Sequence, residues 1–423
     1  MERPLTQHID FNRPPFDLKD YERVGGYASV RKALTSMSPA EVAKTVQDSD
    51  LKGRGGAGFN TGMKWSFVPM KGARQTKYLI ANADEMEPGT FKDRYLLEGN
   101  PHQLIEGMIL SAYAIQANVS YIFLRWAYKK AARLLIQAIR EAYAGGLLGK
   151  NILGSGYDLE MHLHTGVGRY ICGEETALLN ALEGKRATPR TKPPFPQVSG
   201  LFGKPTIVNN VETLCNIPHI VNNGSEWFKS LSLGEDSGTK LYGISGRVNK
   251  PGLWELPIGT TVRELLEEHA GGMKQGYQFR GALPGGASTD FLVNEHLDVK
   301  MAYRSVAAAG SRLGTGTMII LDNHTCPVGF VHNLEHFFAQ ESCGWCTPCR
   351  EGLPWTERLL LSLENGRGKE LDLDLLEMHT RNLGPGSTYC ALAPGAMEPL
   401  QSALKYFRDD FERHIKEKRC PYK

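Results

Sequence analysis

No apolar run in this 423-residue chain approaches the roughly 18 to 20 residues that a bilayer-spanning helix needs. The first twenty residues, Met1 to Asp20, mix charges and prolines and lack the apolar stretch of a secretory signal. A cytoplasmic location with no direct membrane insertion is therefore expected. A dominant charge is missing as well: the net charge is +3, with Lys and Arg scattered and no basic stripe, which argues against nucleic acid as a partner. Cysteine is sparse. Eight in a long, unsecreted chain do not make a disulfide scaffold. No internal repeat is found.

The composition present, 41% hydrophobic and 22% charged, is that of a folded protein rather than a disordered one. The length exceeds what one core normally serves, so two to four domains are expected. Ser38-Pro39-Ala40-Glu41 is a capping box that predicts a helix to about Asp48, directly before a glycine loop. Strand and helix signals then alternate: a strand over Tyr78 to Ala83, a helix over Pro101 to Ala117, a strand over Tyr121 to Leu124, a helix over Lys129 to Tyr143, a strand over Asp158 to His164, and a helix opening near Glu174. Strands separated by helices imply parallel pairing with crossovers, hence an α/β domain. Ser232 to Gly238 reads as a linker. Beyond it, strands over Lys240 to Val248, Leu253 to Leu256 and Thr317 to Leu321 and a helix over Thr261 to His269 suggest a small α+β unit similar to a β-grasp domain, with no chemistry of its own. Four amphipathic helices follow, over Val328 to Gln340, Leu353 to Glu364, Leu371 to Leu383 and Ala396 to Ile415. Met397, Leu400, Leu404, Phe407 and Phe411 give the last a continuous apolar stripe, and the set suggests a bundle. The expected division is 1–52 as a helical or extended segment, 53–235 as the α/β domain, 236–325 as the β-grasp unit and 326–423 as the bundle.

Cys343-Gly-Trp-Cys346-Thr-Pro-Cys349 has two-residue spacers that let three thiolates point at one compact centre, as an iron–sulfur cubane requires. Cys390 is the natural fourth ligand, since both segments fall in loops between predicted helices. A structural zinc site also takes four thiolates and stands as the competing reading. Cys172, Cys215, Cys326 and Cys420 are isolated and read as buried or incidental thiols.

Gly53-Arg54-Gly55-Gly56-Ala57-Gly58 satisfies GxGxxG, whose glycines allow backbone N–H groups to approach a phosphate. Here a helix precedes the loop, so an ordinary dinucleotide fingerprint is the wrong inference, and Met63 between Gly62 and Lys64 rules out a Walker loop. Phe59, Lys64, Trp65 and Phe67 add aromatic faces and a cation. Asn82-Ala-Asp84-Glu85-Met-Glu87 lies beyond the carboxyl end of a strand, where ligands of open α/β sheets bind, and its acids suit ribityl and ribose hydroxyls rather than phosphates. Acidic recognition of a ribose predicts NADH over NADPH. A second strand-to-helix junction carries Gly168, Tyr170, Gly173, Glu174, Glu175 and Thr176, so a crevice for two stacked ligands is expected. Lys192-Pro-Pro-Phe195 supplies a cation and a ring, and Asn209-Asn210-Val-Glu-Thr213 opens a helix.

Gly53 to Gly62, Asn82 to Glu87, Tyr170 to Thr176, Val208 to Thr213 and Glu341 to Arg350 together resemble the family of the F subunit of NADH-quinone oxidoreductase, the complex I 51 kDa flavoproteins. The resemblance covers nearly the whole chain from about Tyr21. It implies FMN held by Gly53, Arg54, Gly55, Lys64, Asn82, Asp84, Glu85, Gly173, Glu174, Val208, Asn209, Asn210 and Thr213. It implies NADH held by Gly56, Ala57, Gly58, Phe59, Lys64, Phe67, Glu87, Tyr170, Glu175, Lys192 and Phe195, and a 4Fe-4S cluster on Cys343, Cys346, Cys349 and Cys390. Hydride would pass from NADH to FMN with no side chain acting as acid or base, then electrons singly to the cluster. A small 2Fe-2S subunit and a larger iron–sulfur subunit would be partners, on the inner face of the plasma membrane. One departure stands out: Arg125-Trp126-Ala127-Tyr128 replaces the family's usual Arg-Gly-Glu-Tyr. The diaphorase subunit of an NAD-reducing hydrogenase or NAD-dependent formate dehydrogenase shares these modules. Those relatives often carry a fused thioredoxin-like domain, for which the residues before Gly53 leave no room.

Overall fold

The computed structural model describes residues 2–70 and 75–423. They fall into two compact units, one of Met1–Met86, Phe91–Leu241 and Glu255–Gly259, the other of Glu87–Thr90, Tyr242–Trp254 and Thr260–Lys423.

The first unit is built on a four-stranded sheet of β1 (Tyr78–Ala83), β2 (Val119–Leu124), β3 (Glu160–Thr165) and β4 (Thr206–Asn210), in the order β3-β2-β1-β4. Every pairing is parallel, with Ala81 opposite Ile122 on one side and Asn209 on the other. The chain steps outward from β1 through β2 to β3 and then returns to the far side of β1 as β4. That reversal makes the β1/β4 boundary the switch point of the sheet, beyond whose carboxyl ends ligands bind in open α/β folds.

Helix Pro101–Ile115 is almost wholly buried, which explains its all-round apolar sequence. It lies against Val211–Asn223 closely enough that a Cβ on Gly107 would fall 2.0 Å from the carbonyl oxygen of Leu214. Pro218, inside that second helix, has no N–H to offer the same carbonyl. The capping box forms as expected: Ser38 N–H donates to Glu41 Oε2 at 2.7 Å and Glu41 N–H to Ser38 Oγ at 3.3 Å. Near the N-terminus, the N–H groups of Leu5 and Thr6 donate to the buried Glu255 carboxylate at 3.1 and 2.8 Å, and the Thr239 hydroxyl adds a third bond at 2.7 Å. Ser232 to Gly238 is not a linker. Asp236 is buried and ion-paired with Lys52, and Leu233 N–H donates to Ile258 O at 2.8 Å.

A second sheet joins β5 (Thr239–Ser245), β6 (Gly252–Pro257), β7 (Phe279–Leu283) and β8 (Thr317–Asp322) in the order β6-β5-β8-β7. β5 runs parallel to β8, and β7 antiparallel to it. The helix expected over Thr261 to His269 begins at Val262–Glu264 and then widens, Ala270 N–H reaching back to Leu265 O at 3.0 Å. The C-terminal part holds helices Pro327–Glu341, Thr347–Glu364, Glu370–Asn382, Leu392–Tyr406 and Arg408–Glu417.

The last two replace the single helix expected over Ala396 to Ile415. The apolar stripe is real, since Met397, Leu400, Leu404, Phe407 and Phe411 are all buried. It does not run along one rod, because Phe407 leaves helical geometry (φ −127°, ψ 27°) and sets its ring edge-on to Phe291, 5.2 Å between centroids. Among the described residues no helix is long and apolar enough to cross a membrane.

Candidate cofactor crevice and cluster site

Leu51 O and Gly53 N–H close the glycine loop against Thr61 N–H and Phe59 O at 2.8 Å each. Gly56 (φ 124°) and Gly58 (φ 66°) take backbone shapes that side chains resist, so the glycines there are a conformational requirement. The loop docks on the start of helix Val211–Asn223: Arg54 N–H donates to Thr213 Oγ1 at 2.8 Å, and a Cβ on Gly55 would sit 3.1 Å from Asn210. Helix Thr61–Ser66, capped by Asn60, then carries Lys64 and Trp65 to the sheet. Trp65 donates to Asn209 at 3.0 Å, and Lys64 reaches Val208 O at 2.9 Å and Glu175 at 2.8 Å. Lys192 binds both Glu174 and Glu175 at 3.0 Å. At the end of β1, Asn82 donates to Gly173 O at 3.0 Å. Thus residues from the glycine loop, the ends of β1 and β4, and two helix starts meet around the switch point.

Burial opposes ionisation of Glu175, but the ammonium groups of Lys64 and Lys192 outweigh it and hold the carboxyl below the usual range. Glu174 caps its helix, accepting from the N–H groups of Thr176 and Ala177 at 2.8 Å. A Cβ on Gly173 would meet open space. Phe59 and Phe67 are about half exposed, with ring centroids 6.3 Å apart, and Phe195 is exposed too. Tyr170 opens a short turn, Tyr170–Gly173, leading into helix Glu175–Leu182. Asp84 is buried, its N–H donating to Asn82 Oδ1 at 3.1 Å. Glu85 is engaged in fixing the loop, accepting from Asp93 N–H at 2.8 Å, Arg94 N–H at 3.1 Å and the Tyr128 hydroxyl at 2.8 Å. Burial pushes its carboxyl up to about 7. Glu87 belongs to the second unit, where it accepts from Ser288 N–H at 2.7 Å.

The unusual Arg125–Tyr128 stretch keeps its two ends in place, Arg125 donating to Glu85 O at 2.8 Å and Tyr128 to the Glu85 carboxylate. Its Trp126 lies against Gly168, where a Cβ would come within 2.3 Å of the indole, and Lys129 sits 4.6 Å over the ring.

Sequence reasoning missed a buried charge network behind the crevice. Lys92 contacts Asp93 at 2.7 Å, Glu212 at 3.0 Å and Asn210 at 3.1 Å, while Lys240 contacts Glu212 at 2.7 Å. Burial works against the Glu212 charge, yet Lys240, Lys92 and Arg54 drive its carboxyl down to about 2. Arg54 is itself fully buried and donates to Ser237 O and Thr239 O at 3.0 Å, with Nε and Nη1 lacking a protein partner. Lys92, Lys240 and Arg54 thus face Asp93, Glu212 and Glu85, with burial lowering the Lys240 ammonium to about 7, and the unpartnered Nε and Nη1 of Arg54 are what an anionic group beside the glycine loop would satisfy. This, with the open space at Gly173, fits a phosphate-bearing cofactor.

In the second unit the four expected cluster cysteines converge. Burial pushes the Cys349 thiol up to about 12, and the sulfurs of Cys346, Cys390 and Cys343 act on it in the same direction. The two loops are joined by Trp345 and Tyr389, whose rings stand edge to face at 6.3 Å. Cys346 stands at the N-cap position of helix Thr347–Glu364, with Cys349 in its first turn.

The chain matches the family model described as the Nuo51 FMN-binding domain over residues 46–219, the SLBB domain over 241–292, and the NADH-ubiquinone oxidoreductase-F iron-sulfur binding region over 329–414. It is 58% identical to the F subunit of NADH-quinone oxidoreductase from Escherichia coli over 414 residues, covering 98% of this chain and 93% of that one. The corresponding F subunit of Streptomyces coelicolor is 50% identical over 402 residues, covering 95% and 89%. Among solved structures, a chain of an NAD+-reducing [NiFe]-hydrogenase in the H2-reduced state superposes with a TM-score of 0.84 at 33% identity, over 99% of this chain and 67% of that one.

Proposed function

The chain belongs to the family of NADH-quinone oxidoreductase F subunits, the NADH-oxidising flavoproteins of complex I, and from that premise we propose how its residues divide the work. FMN, once bound, would supply the chemistry that couples two-electron oxidation of NADH to one-electron delivery to a 4Fe-4S cluster. The glycine loop Gly53, Arg54 and Gly55 addresses the FMN phosphate, with Asn82, Asp84, Glu85, Gly173, Glu174, Val208, Asn209, Asn210, Thr213 and Lys64 around it. Gly56, Ala57, Gly58, Phe59, Phe67, Glu87, Tyr170, Glu175, Lys192 and Phe195, again with Lys64, hold the nucleotide. Cys343, Cys346, Cys349 and Cys390 hold the cluster.

The observation that carries this division is the ion-pair chain Lys64–Glu175–Lys192–Glu174 at the switch point of the sheet, 2.8 to 3.0 Å per link. It fixes helix Thr61–Ser66 and the Lys192 loop against the start of helix Glu175–Leu182, and a stacked donor and acceptor need that rigidity. Proton transfer is not asked of any side chain.

The domain limits that suit this division are 1–52, 53–235, 236–325 and 326–423, the third a β-grasp fold and the fourth a helical bundle in which Leu392–Tyr406 and Arg408–Glu417 together take the place of the fourth helix. A small 2Fe-2S subunit and a larger iron–sulfur subunit are the partners, and the assembly sits on the inner face of the plasma membrane. Identity of 58% with the Escherichia coli F subunit, against 33% with the hydrogenase chain, favours the respiratory complex over a hydrogenase diaphorase. The test is anaerobic purification of the full chain with its neighbours. Bound flavin, four irons and NADH-dependent ferricyanide reduction are expected, with the two iron–sulfur subunits co-purifying. Flavin-free protein inert toward NADH would overturn the site assignment, and co-purifying hydrogenase subunits would overturn the choice of complex.

A further inference from the structure

Two cysteines that read as incidental in the sequence are brought together in the second unit. Cys326 caps helix Pro327–Glu341, Glu364 ends helix Thr347–Glu364, His414 lies in Arg408–Glu417, and Cys420 is in the tail beyond. One ligand atom from each, two sulfurs, an imidazole nitrogen and a carboxylate oxygen, lies within 4.8 Å of all the others. Three of the separations are 2.9 Å (Cys326 Sγ to Glu364 Oε1), 3.4 Å (Cys326 Sγ to His414 Nε2) and 3.2 Å (His414 Nε2 to Glu364 Oε1). The edges of a tetrahedron around zinc, with bonds of about 2.0 Å to N and O and 2.3 Å to S, run to about 3.3–3.8 Å. Small adjustments reach that shape.

The surroundings are those of a ligand set. His414 Nδ1 lies 2.6 Å from Asp410 O, which can only accept, so Nδ1 is the donor there and Nε2 is the ring nitrogen turned toward Cys326 and Glu364. Gly329 N–H donates to Cys326 Sγ at 3.2 Å, and Lys423 binds the other Glu364 oxygen at 2.7 Å, so two groups offset the negative charge of the thiolates and carboxylate. His414, Glu364 and Cys420 are buried, leaving no open position for substrate.

We infer that Cys326, Glu364, His414 and Cys420 form a structural metal site for zinc, separate from the iron–sulfur cluster. Mixed thiolate, imidazole and carboxylate donors exclude calcium and magnesium, which take oxygen, and suit zinc. Cys349 and Glu364 lie on the same helix, and fifteen residues at 1.5 Å each put them roughly 22 Å apart along its axis. An ion there ties four chain segments together and anchors the C-terminal tail.

The full-length chain, purified anaerobically with its cluster, is analysed for zinc and iron by mass spectrometry and for zinc coordination by X-ray absorption. About one zinc per chain beside four irons, in a shell of two sulfurs and two nitrogen or oxygen atoms, is expected. Cys420→Ser and His414→Gln should each lower zinc at least roughly fivefold while iron and flavin stay at the level of the unaltered chain. Zinc-free unaltered protein, meaning a hydrogen-bonded cluster and nothing more, overturns the inference, as does zinc in an all-sulfur shell. Zinc found as expected in protein lacking iron would sink the iron–sulfur reading and leave this one standing.

Discussion

At the scale of single residues, Glu175 sets how much of the Lys64 and Lys192 charge is left unscreened at the site proposed for the nucleotide. Its carboxylate neutralises part of Lys64 and Lys192, 2.8 and 3.0 Å away. Glu175→Gln keeps the shape and removes that screen, so the pyrophosphate of NADH should bind more tightly. The KM for NADH is expected to fall roughly threefold to tenfold, about 1 kcal/mol, with turnover falling as product release slows and flavin content unchanged. Steady-state kinetics beside acid-extracted flavin measure both, and an unchanged KM would remove Glu175 from the nucleotide site. Lys64, Asn82 and Cys349 could be singled out in the sequence because spacing or position beyond a strand marked them, and the structure gives each a neighbour from its own motif set. Lys92, Glu212 and Lys240 were not, although Glu212 stands inside the Asn209–Thr213 motif. A lone charge looks the same whether solvated or buried until its partners, distant in sequence, are brought to it.

Among the elements, the crossing of Pro101–Ile115 on Val211–Asn223 makes the sharpest prediction, because local preference and packing disagree there. Gly107→Ala should favour the helix by about 1 kcal/mol on propensity. The new Cβ would sit 2.0 Å from Leu214 O, on rigid backbone, so a net loss of about 3 kcal/mol or more is expected. Thermal unfolding of the two proteins decides between them. Ser38→Ala is the milder case, expected to cost about 1 kcal/mol through the lost cap in the same assay. The alternating strands and amphipathic helices were legible through their periods. β7 was not, since Arg280 and Gly281 interrupt an already short apolar run. The kink at Phe407 was hidden for the opposite reason: the apolar period continues through it, and only the backbone of one buried residue departs.

For the molecule as a whole, buried carboxylates set how stability follows pH. Burial pushes Glu255 from 4.5 up to about 7, against the hydrogen bonds from Leu5, Thr6 and Thr239. The folded form thus keeps a proton that the unfolded chain releases above about pH 4.5. Stability from this group is full below that pH, declines as pH rises to about 7 and is level beyond. Glu212 works in the other sense, its stabilisation present above the unfolded value and lost as pH falls toward about 2. Melting curves from pH 5 to 8 should show a declining midpoint that Glu255→Gln flattens, the difference amounting to at most about 3 kcal/mol. Equal slopes would mean that Glu255 is ionised throughout. This tether from the N-terminal residues to Glu255 was invisible in the sequence, since nothing local to either end announces the other. The order of the first sheet has a consequence for the protein's birth on the ribosome. β1, β2 and β3 can pair as soon as they emerge, but the inner flank of β1 stays bare until Thr206–Asn210 has been translated. Flavin capture must therefore be a late event for the nascent polypeptide, and until then an unpaired strand edge is left for a chaperone to guard.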